Sequence, residues 1–338
     1  MCDCVPLRAT TQADVVIVGG GLLGLSTAWA LRGRRDVLVL ERDTVGGARS
    51  GSHGPTRIFR VGYVDPRYVA MAVRAAEQWR LLESEAGVQL LYPAPQLTFG
   101  SGADAVFTAL VAAGAPVERI TAAAIERRFP AFSGRGDALL EMSSAVIAAD
   151  RTLATLCVES GARLREHVCV ERIDAHHVET ASDIIEARTV VVCAGPWTRS
   201  LVPAITTTTT LEHVGYVRAG GEMPIFIDFS ERVVYGLPTP GSDVYKVAVH
   251  HGGHAIDLDT DFGPDAAAVA VLQNTIAHWL PDAELVQVDV CPYDNTADEH
   301  FIVQRIDGIV VGAGTSGHAF KFGPLLGRQL AELVLDVS

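Results

Sequence analysis

Apolar residues along this chain switch between two periods, and the switches divide it into elements. Val15-Val16-Ile17-Val18 is an unbroken apolar run of β-favouring residues, bounded by glycine, and predicts a buried strand. Residues 25–31 then read as a helix, and Val37-Leu38-Val39-Leu40 as a second strand. From 67 to 86, Tyr68, Met71, Ala72, Ala75, Trp79 and Leu82 recur near a period of 3.6 and predict an amphipathic helix. Residues 88–100 alternate like strands, punctuated by Pro93 and Pro95. Helices follow over 103–113 and over 122–129, the second closed by Pro130. A helix over 150–161 has Asp150 in place as an N-cap.

The middle is richer in strand. Residues 168–170, 189–194, 214–218, 225–227, 232–236, 244–250 and 286–290 all read as short strands. The five-threonine run at 206–210 suits an edge strand or a loop. Residues 56–60 read as a loop or frayed helix that aims Arg57 and Arg60 to the same side. A helix over 264–280, a strand over 309–311 and a closing helix over 323–335 complete the chain. Alternating α/β material thus sits at both ends and around 150–200, with β-rich inserts between. The expected class is α/β plus α+β, a Rossmann-like domain interleaved with a sheet-rich one. A length of 338 residues also favours two domains.

The first strand–helix junction carries chemistry. Gly19, Gly21 and Gly24 have the G-x-G-x-x-G spacing. Such glycines allow a tight turn, close approach of a pyrophosphate and close helix–strand packing, and the helix N-terminus adds N–H donors. Glu41 ends the second strand roughly 20 residues further on, where this arrangement hydrogen-bonds a ribose hydroxyl. Together these predict a dinucleotide site, without choosing between NAD and FAD.

Composition narrows the partners. Net charge is −13, which argues against nucleic acid or an anionic membrane surface as a partner. The uncharged run over 15–31 is explained by the glycine motif rather than by a membrane span. The acidic leader before it is a poor secretory signal, so a cytoplasmic protein is expected. Six cysteines are scattered without a C-x-x-C pair, and Cys2 and Cys4 alone do not make a zinc site, so no metal is expected. Cys193 reads as an inert buried cysteine.

Three separated stretches name a family. They are Gly51-Ser52-His53-Gly54-Pro55-Thr56-Arg57-Ile58-Phe59-Arg60, then Tyr235-Gly236-Leu237-Pro238 with Lys246-Val247-Ala248-Val249-His250. The third is Cys291-Pro292-Tyr293 with Asp298-Glu299-His300-Phe301 and Gly312-Ala313-Gly314-Thr315-Ser316-Gly317-His318-Ala319-Phe320-Lys321-Phe322. In order and spacing they resemble the FAD-dependent amine oxidases of the monomeric sarcosine oxidase and N-methyltryptophan oxidase type. Wider relatives of that family include pipecolate oxidase and the nikkomycin-pathway cyclic imino acid oxidase. Pro55 and Pro292 depart from residues common in those relatives.

The resemblance implies FAD rather than NAD, with Cys291 joined to the flavin 8-methyl carbon by a thioether. From residue type alone Cys291 also suits an ordinary buried cysteine at the end of a strand. Arg60 and Lys321 match the pair that grips a substrate carboxylate, and a fork of donors is what such an anion requires. Lys246 matches a lysine that assists reaction with O2, and Arg57 an arginine beside the flavin ring. His250 matches an active-site histidine, and Tyr235 and Tyr293 match aromatic pocket walls. Asp65 lies where relatives place an acid near the pocket mouth. His318 is expected in the glycine loop with Gly314, Ser316 and Gly317, next to the flavin pyrimidine, not as a general base. Further flavin contacts implied are Leu22, Leu23, Arg42, Ser50, His53, Thr56, Val170, Gly195 and Trp197.

On this resemblance, residues 1–87, 143–200 and 292–338 bind FAD, and residues 88–142 and 201–291 form the substrate domain. The implied reaction transfers hydride from the carbon next to nitrogen of an N-methyl or cyclic amino acid to flavin N5, and reduces O2 to H2O2. A dehydrogenase with another electron acceptor, or a flavoprotein subunit without catalysis, are the alternatives. A monomer or small homo-oligomer is expected.

Overall fold

The computed structural model describes residues 9–219, 223–258 and 260–336. Cys2 and Cys4 lie outside them. Strand β1 (Ala9–Val18) lies inside an eight-stranded sheet, flanked in parallel by the strand Asp183–Val192 and by β2 (Val37–Leu40). Side-chain alternation sorts its residues between two cores. Val15, Ile17, Val37 and Val39 join α1 (Leu22–Leu31) and the closing helix Gly323–Leu335 on one face. Val16, Val18, Leu38 and Leu40 meet Val178, Ile185 and Ile205 on the other. A strand covered on both sides must be apolar at every position, hence the unbroken run in the sequence. The two helices approach closely because a Cβ on Gly323 would lie 2.6 Å from Leu22, and one on Gly327 would lie 2.4 Å from Ser26.

The second sheet has nine strands. Its long pair is Thr208–Arg218 against Glu284–Asn295, antiparallel. The helix Ala266–Trp279 and an aromatic cluster cover it, with Trp279 stacked on Phe226 at 4.4 Å. Such a pair contributes about 0.5–1.5 kcal/mol beyond its buried area. A three-stranded sheet, ordered Thr56–Phe59 (β3), Ala145–Ala148 and Leu91–Pro93, completes the strands that frame the site. Helix α2 (Pro66–Ala86) buries Tyr68, Ala72, Ala75, Trp79 and Leu82, the face its period predicts. Among the described residues no helix is long and apolar enough to cross a membrane.

Several local expectations change. Residues Thr56–Phe59 are a strand paired with Ala145–Ala148, neither loop nor frayed helix. That pairing joins distant segments, which local composition does not encode. Asp150 lies inside the first turn of Ala149–Glu159, whose N-cap is Ala148 without a side-chain bond. The threonine run enters a strand at Thr208. Cys291 sits within a strand, opposite Glu212, rather than at its end. Asp65 caps α2, accepting from the Arg67 backbone N–H and pairing with the Arg67 side chain at 2.6 Å.

Candidate active site

A cavity of about 2040 Å³, including its open mouth, runs from the C-terminal ends of β1 and β2 to the second sheet. Its first end is built on glycine. Gly19 has φ +107°, and a Cβ there would lie 2.3 Å from the Cys193 carbonyl oxygen. A Cβ on Gly24 would lie 1.9 Å from the Gly19 carbonyl. Neither position accepts a side chain. The Glu41 carboxylate accepts from the Gly20 N–H at 2.8 Å and the Asp43 N–H at 3.0 Å, which fixes it at the cavity wall with lone pairs to spare. Arg42 lies over the Trp197 ring at 4.4 Å, and the buried Trp197 Nε1 has no partner among the described residues. Gly19, Glu41, Arg42 and Trp197, with Leu22, Leu23, Ser50, Thr56, Val170 and Gly195, line the same cavity.

The other end gathers cations. Arg57 donates to the carbonyls of Thr56, His53 and Gly51 at 2.9, 2.6 and 3.2 Å, so its head is fixed. Lys246, on the strand Val244–Val249, is 4% exposed rather than solvent-facing. Burial, and then the neighbouring Arg57 charge, lower its pKa to about 7. Lys321 is buried too, and burial followed by Arg60 holds its pKa well below the usual lysine value. Arg60 follows β3; its guanidinium stacks on Tyr63 at 3.9 Å and faces Phe229 at 5.6 Å, while its buried Nη1 has no partner among the described residues. The cavity therefore concentrates Arg57, Arg60, Lys246 and Lys321 inside a protein of net charge −13.

Cys291 lies in the same wall, its sulfur 3.5 Å from the Gly51 carbonyl oxygen. Burial raises its pKa, opposed by Arg57 and Lys246. Tyr235 and Tyr293 line the same wall. The His250 ring packs on His251 at 4.1 Å and on Tyr293 at 5.8 Å; burial and the nearby His251 keep it neutral. Ligand atoms of His250, His251 and Glu299 lie within 4.8 Å of one another.

Not every candidate touches the cavity. Gly24 packs α1 on the strand, and His53 turns its Nδ1 to the Ser50 carbonyl. Gly314 and Ser316 shape the closing loop from behind. Asp294, absent from the sequence expectations, accepts from the Gly314 N–H at 2.7 Å and the Thr315 N–H at 3.0 Å. Gly317, at φ +71°, presses against the Tyr293 ring, where a Cβ would come within 1.9 Å. His318 uses both ring nitrogens: Nε2 reaches the Glu299 carbonyl at 2.9 Å and Nδ1 the Tyr63 hydroxyl at 3.3 Å. Burial, then Lys321, lowers its pKa to about 3. Sequence reasoning also missed Ser52, whose Oγ accepts from the Leu22 N–H at 3.1 Å, although it stood inside the quoted motif.

Residues 14–333 match the family model of FAD dependent oxidoreductases. The chain belongs to that family. The chain is 32% identical to the peroxisomal sarcosine oxidase of Homo sapiens, covering 96% of this chain and 93% of that protein. It is 29% identical to the monomeric sarcosine oxidase of a Bacillus species, again over 96% and 93%. Its fold matches NikD, an unusual amino acid oxidase essential for nikkomycin biosynthesis, at a TM-score of 0.87 and 24% identity, over 97% of this chain and 95% of that one. Family membership resolves the choice that the glycine motif left open in favour of FAD. The residues fit that group: a glycine turn closed to any side chain, a carboxylate beside it, an unpartnered buried Trp197 N–H and a long cavity leading to clustered cations.

Proposed function

We propose that this FAD-dependent oxidoreductase is an oxidase of secondary amino acids, N-methylated or cyclic, that produces H2O2. The observation that carries this reading is the pair Arg60 and Lys321. Two cations at one end of the cavity, the buried Lys321 and the half-buried Arg60 whose Nη1 has no partner among the described residues, make a site for a single carboxylate. Secondary amines are supported by the relatives, which include two sarcosine oxidases and an N-methyl-L-tryptophan oxidase of Yersinia pestis, 26% identical over 96% of this chain.

Bound FAD supplies a two-electron acceptor for the C–H bond next to nitrogen and returns the electrons to O2. The chain's own residues do the rest. Gly19, Gly21, Glu41, Arg42 and Trp197 would hold the dinucleotide. Arg60 and Lys321 hold the substrate carboxylate and so fix the direction of Cα. Lys246 places a cation where reduction of O2 develops negative charge, and Arg57 favours anionic reduced flavin. His250, Tyr235 and Tyr293 wall the pocket. The substrate amine loses its proton to solvent, since both nitrogens of His318 are already engaged. Cys291, in the same cavity wall, would hold the flavin covalently through its sulfur. Residues 1–87, 143–200 and 292–338 form the FAD-binding domain, the remainder the substrate domain, and the protein works in the cytoplasm.

The test is peroxide formation in air from sarcosine and pipecolate, set against dimethylamine and piperidine, which lack the carboxylate. The acids should give peroxide and the bare amines very little. Equal rates from both sets, or no peroxide from any, would overturn the reading.

A further inference from the structure

Resting on the carboxylate site proposed above, we infer that Tyr63 is the positioning residue that holds both of its cations at once. Tyr63 is buried behind the cavity wall and is not among the cavity-lining residues. Its hydroxyl oxygen accepts a hydrogen bond from Lys321 Nζ at 2.8 Å, and its ring lies 3.9 Å under the Arg60 guanidinium. One side chain therefore brackets the two groups that meet the substrate.

The hydrogen-bond directions follow from the donors available. An ammonium has three N–H groups and no acceptor. One goes to Tyr63, and one to the His318 carbonyl at 2.8 Å. With two bonds fixed, tetrahedral geometry fixes the third, and that one is left for the carboxylate. Because the Tyr63 oxygen accepts from Lys321, its own hydrogen must go to His318 Nδ1, at 3.3 Å. His318 then carries its proton on Nε2 and donates it to the Glu299 carbonyl at 2.9 Å. Every link runs in one direction, so Lys321 has no alternative arrangement of equal quality. Trp79 secures the same residue from the backbone side, donating from Nε1 to the Lys321 carbonyl at 2.7 Å. Arg60 has no such hydrogen-bond anchor among the described residues; aromatic faces confine it, Tyr63 the nearer.

Tyr63→Phe removes the hydroxyl and keeps the ring, and Tyr63→Leu removes both. The probe is acetate, titrated into the holoenzyme and followed by the flavin difference spectrum, together with KM and kcat for sarcosine. For Tyr63→Phe we expect the acetate Kd and the KM to rise about tenfold, as for loss of one hydrogen bond to a charged group. The kcat should stay within about twofold, because Tyr63 touches no reacting atom. The pH at which acetate affinity falls off should move down, since an ammonium that loses an acceptor deprotonates sooner. Tyr63→Leu should lose more than Tyr63→Phe. A merely structural tyrosine would lower kcat and flavin content and leave that pH profile in place. If Tyr63→Phe binds acetate as the wild type does, while Lys321→Met loses acetate, the inference is overturned. If Lys321→Met also binds acetate normally, the carboxylate site itself falls, and Tyr63 with it.

Discussion

Lys246→Met separates what a buried lysine costs the fold from what it contributes to chemistry. Lys246 pairs with Tyr216 and Leu237 across its two neighbouring strands and is 4% exposed. Burial first, then Arg57, brings its pKa from 10.5 down to about 7, opposed by Cys291 and Asp289. The unfolded chain therefore keeps a proton that the folded chain releases between about 7 and 10.5. Below pH 7 the folded lysine is charged and bears the whole desolvation penalty; stability rises as pH climbs through that window. At about 1.36 kcal/mol per pH unit the penalty is on the order of 5 kcal/mol. Methionine fills a similar volume without a charge, so Lys246→Met should stabilise the flavin-free protein at neutral pH, toward that limit. Oxygen chemistry should pay the difference. A unit charge ~4 Å from developing superoxide, at an effective dielectric near ~20, contributes about 4 kcal/mol, or roughly 10³ in rate. The assays are urea unfolding of the flavin-free protein at several pH values, and reoxidation of dithionite-reduced holoenzyme on mixing with O2. Reoxidation should slow about 10³-fold while anaerobic reduction by substrate changes little. A variant that reoxidises at the wild-type rate and is no more stable would refute the reasoning.

Three other outcomes follow. Cys291→Ser should release yellow FAD into the supernatant on acid precipitation, whereas the wild-type pellet stays yellow with the mass of FAD on the Cys291 peptide; free FAD from wild type would remove the thioether. Gly24→Ala should abolish flavin binding and lower Tm by many degrees, because its Cβ would lie 1.9 Å from the Gly19 carbonyl; a flavin-replete variant of normal Tm would contradict the packing. Trp79→Phe should cost about 1–3 kcal/mol in urea unfolding, since it orphans the buried Lys321 carbonyl, and should raise the KM for sarcosine; neither change would detach Trp79 from the site.

The dinucleotide half was legible because its signals are local. An unbroken valine–isoleucine strand, a glycine turn, a helix and an acid lie within thirty residues, and each keeps its meaning in the fold. The closing helix Gly323–Leu335 begins and ends where its pattern placed it. The substrate end was legible only through resemblance. Strand β3 exists because Thr56–Phe59 pairs with Ala145–Ala148, and no short window shows that partnership. Lys246 lies on a strand whose pattern does not mark an inward face, yet its side chain is buried in the cavity wall near Arg57 and Cys291. Tyr63 gave no motif of its own: its importance lies in reaching Lys321 across more than 250 positions. Nothing local in the glycine loop shows that Asp294 accepts from the Gly314 N–H or that Ser316 Oγ accepts from the Thr296 N–H.

We propose that Arg60 and Lys321 select a carboxylated amine for oxidation. Anaerobic mixing of the holoenzyme with sarcosine, and separately with dimethylamine, tests it in one turnover before oxygen enters. Sarcosine should bleach the flavin with saturable kinetics, and dimethylamine should do so far more slowly. In the Arg60→Met, Lys321→Met double variant, bleaching of the flavin by sarcosine should fall to the rate seen with dimethylamine. Equal bleaching by both amines in the wild type, or a double variant that saturates with sarcosine as the wild type does, would contradict it.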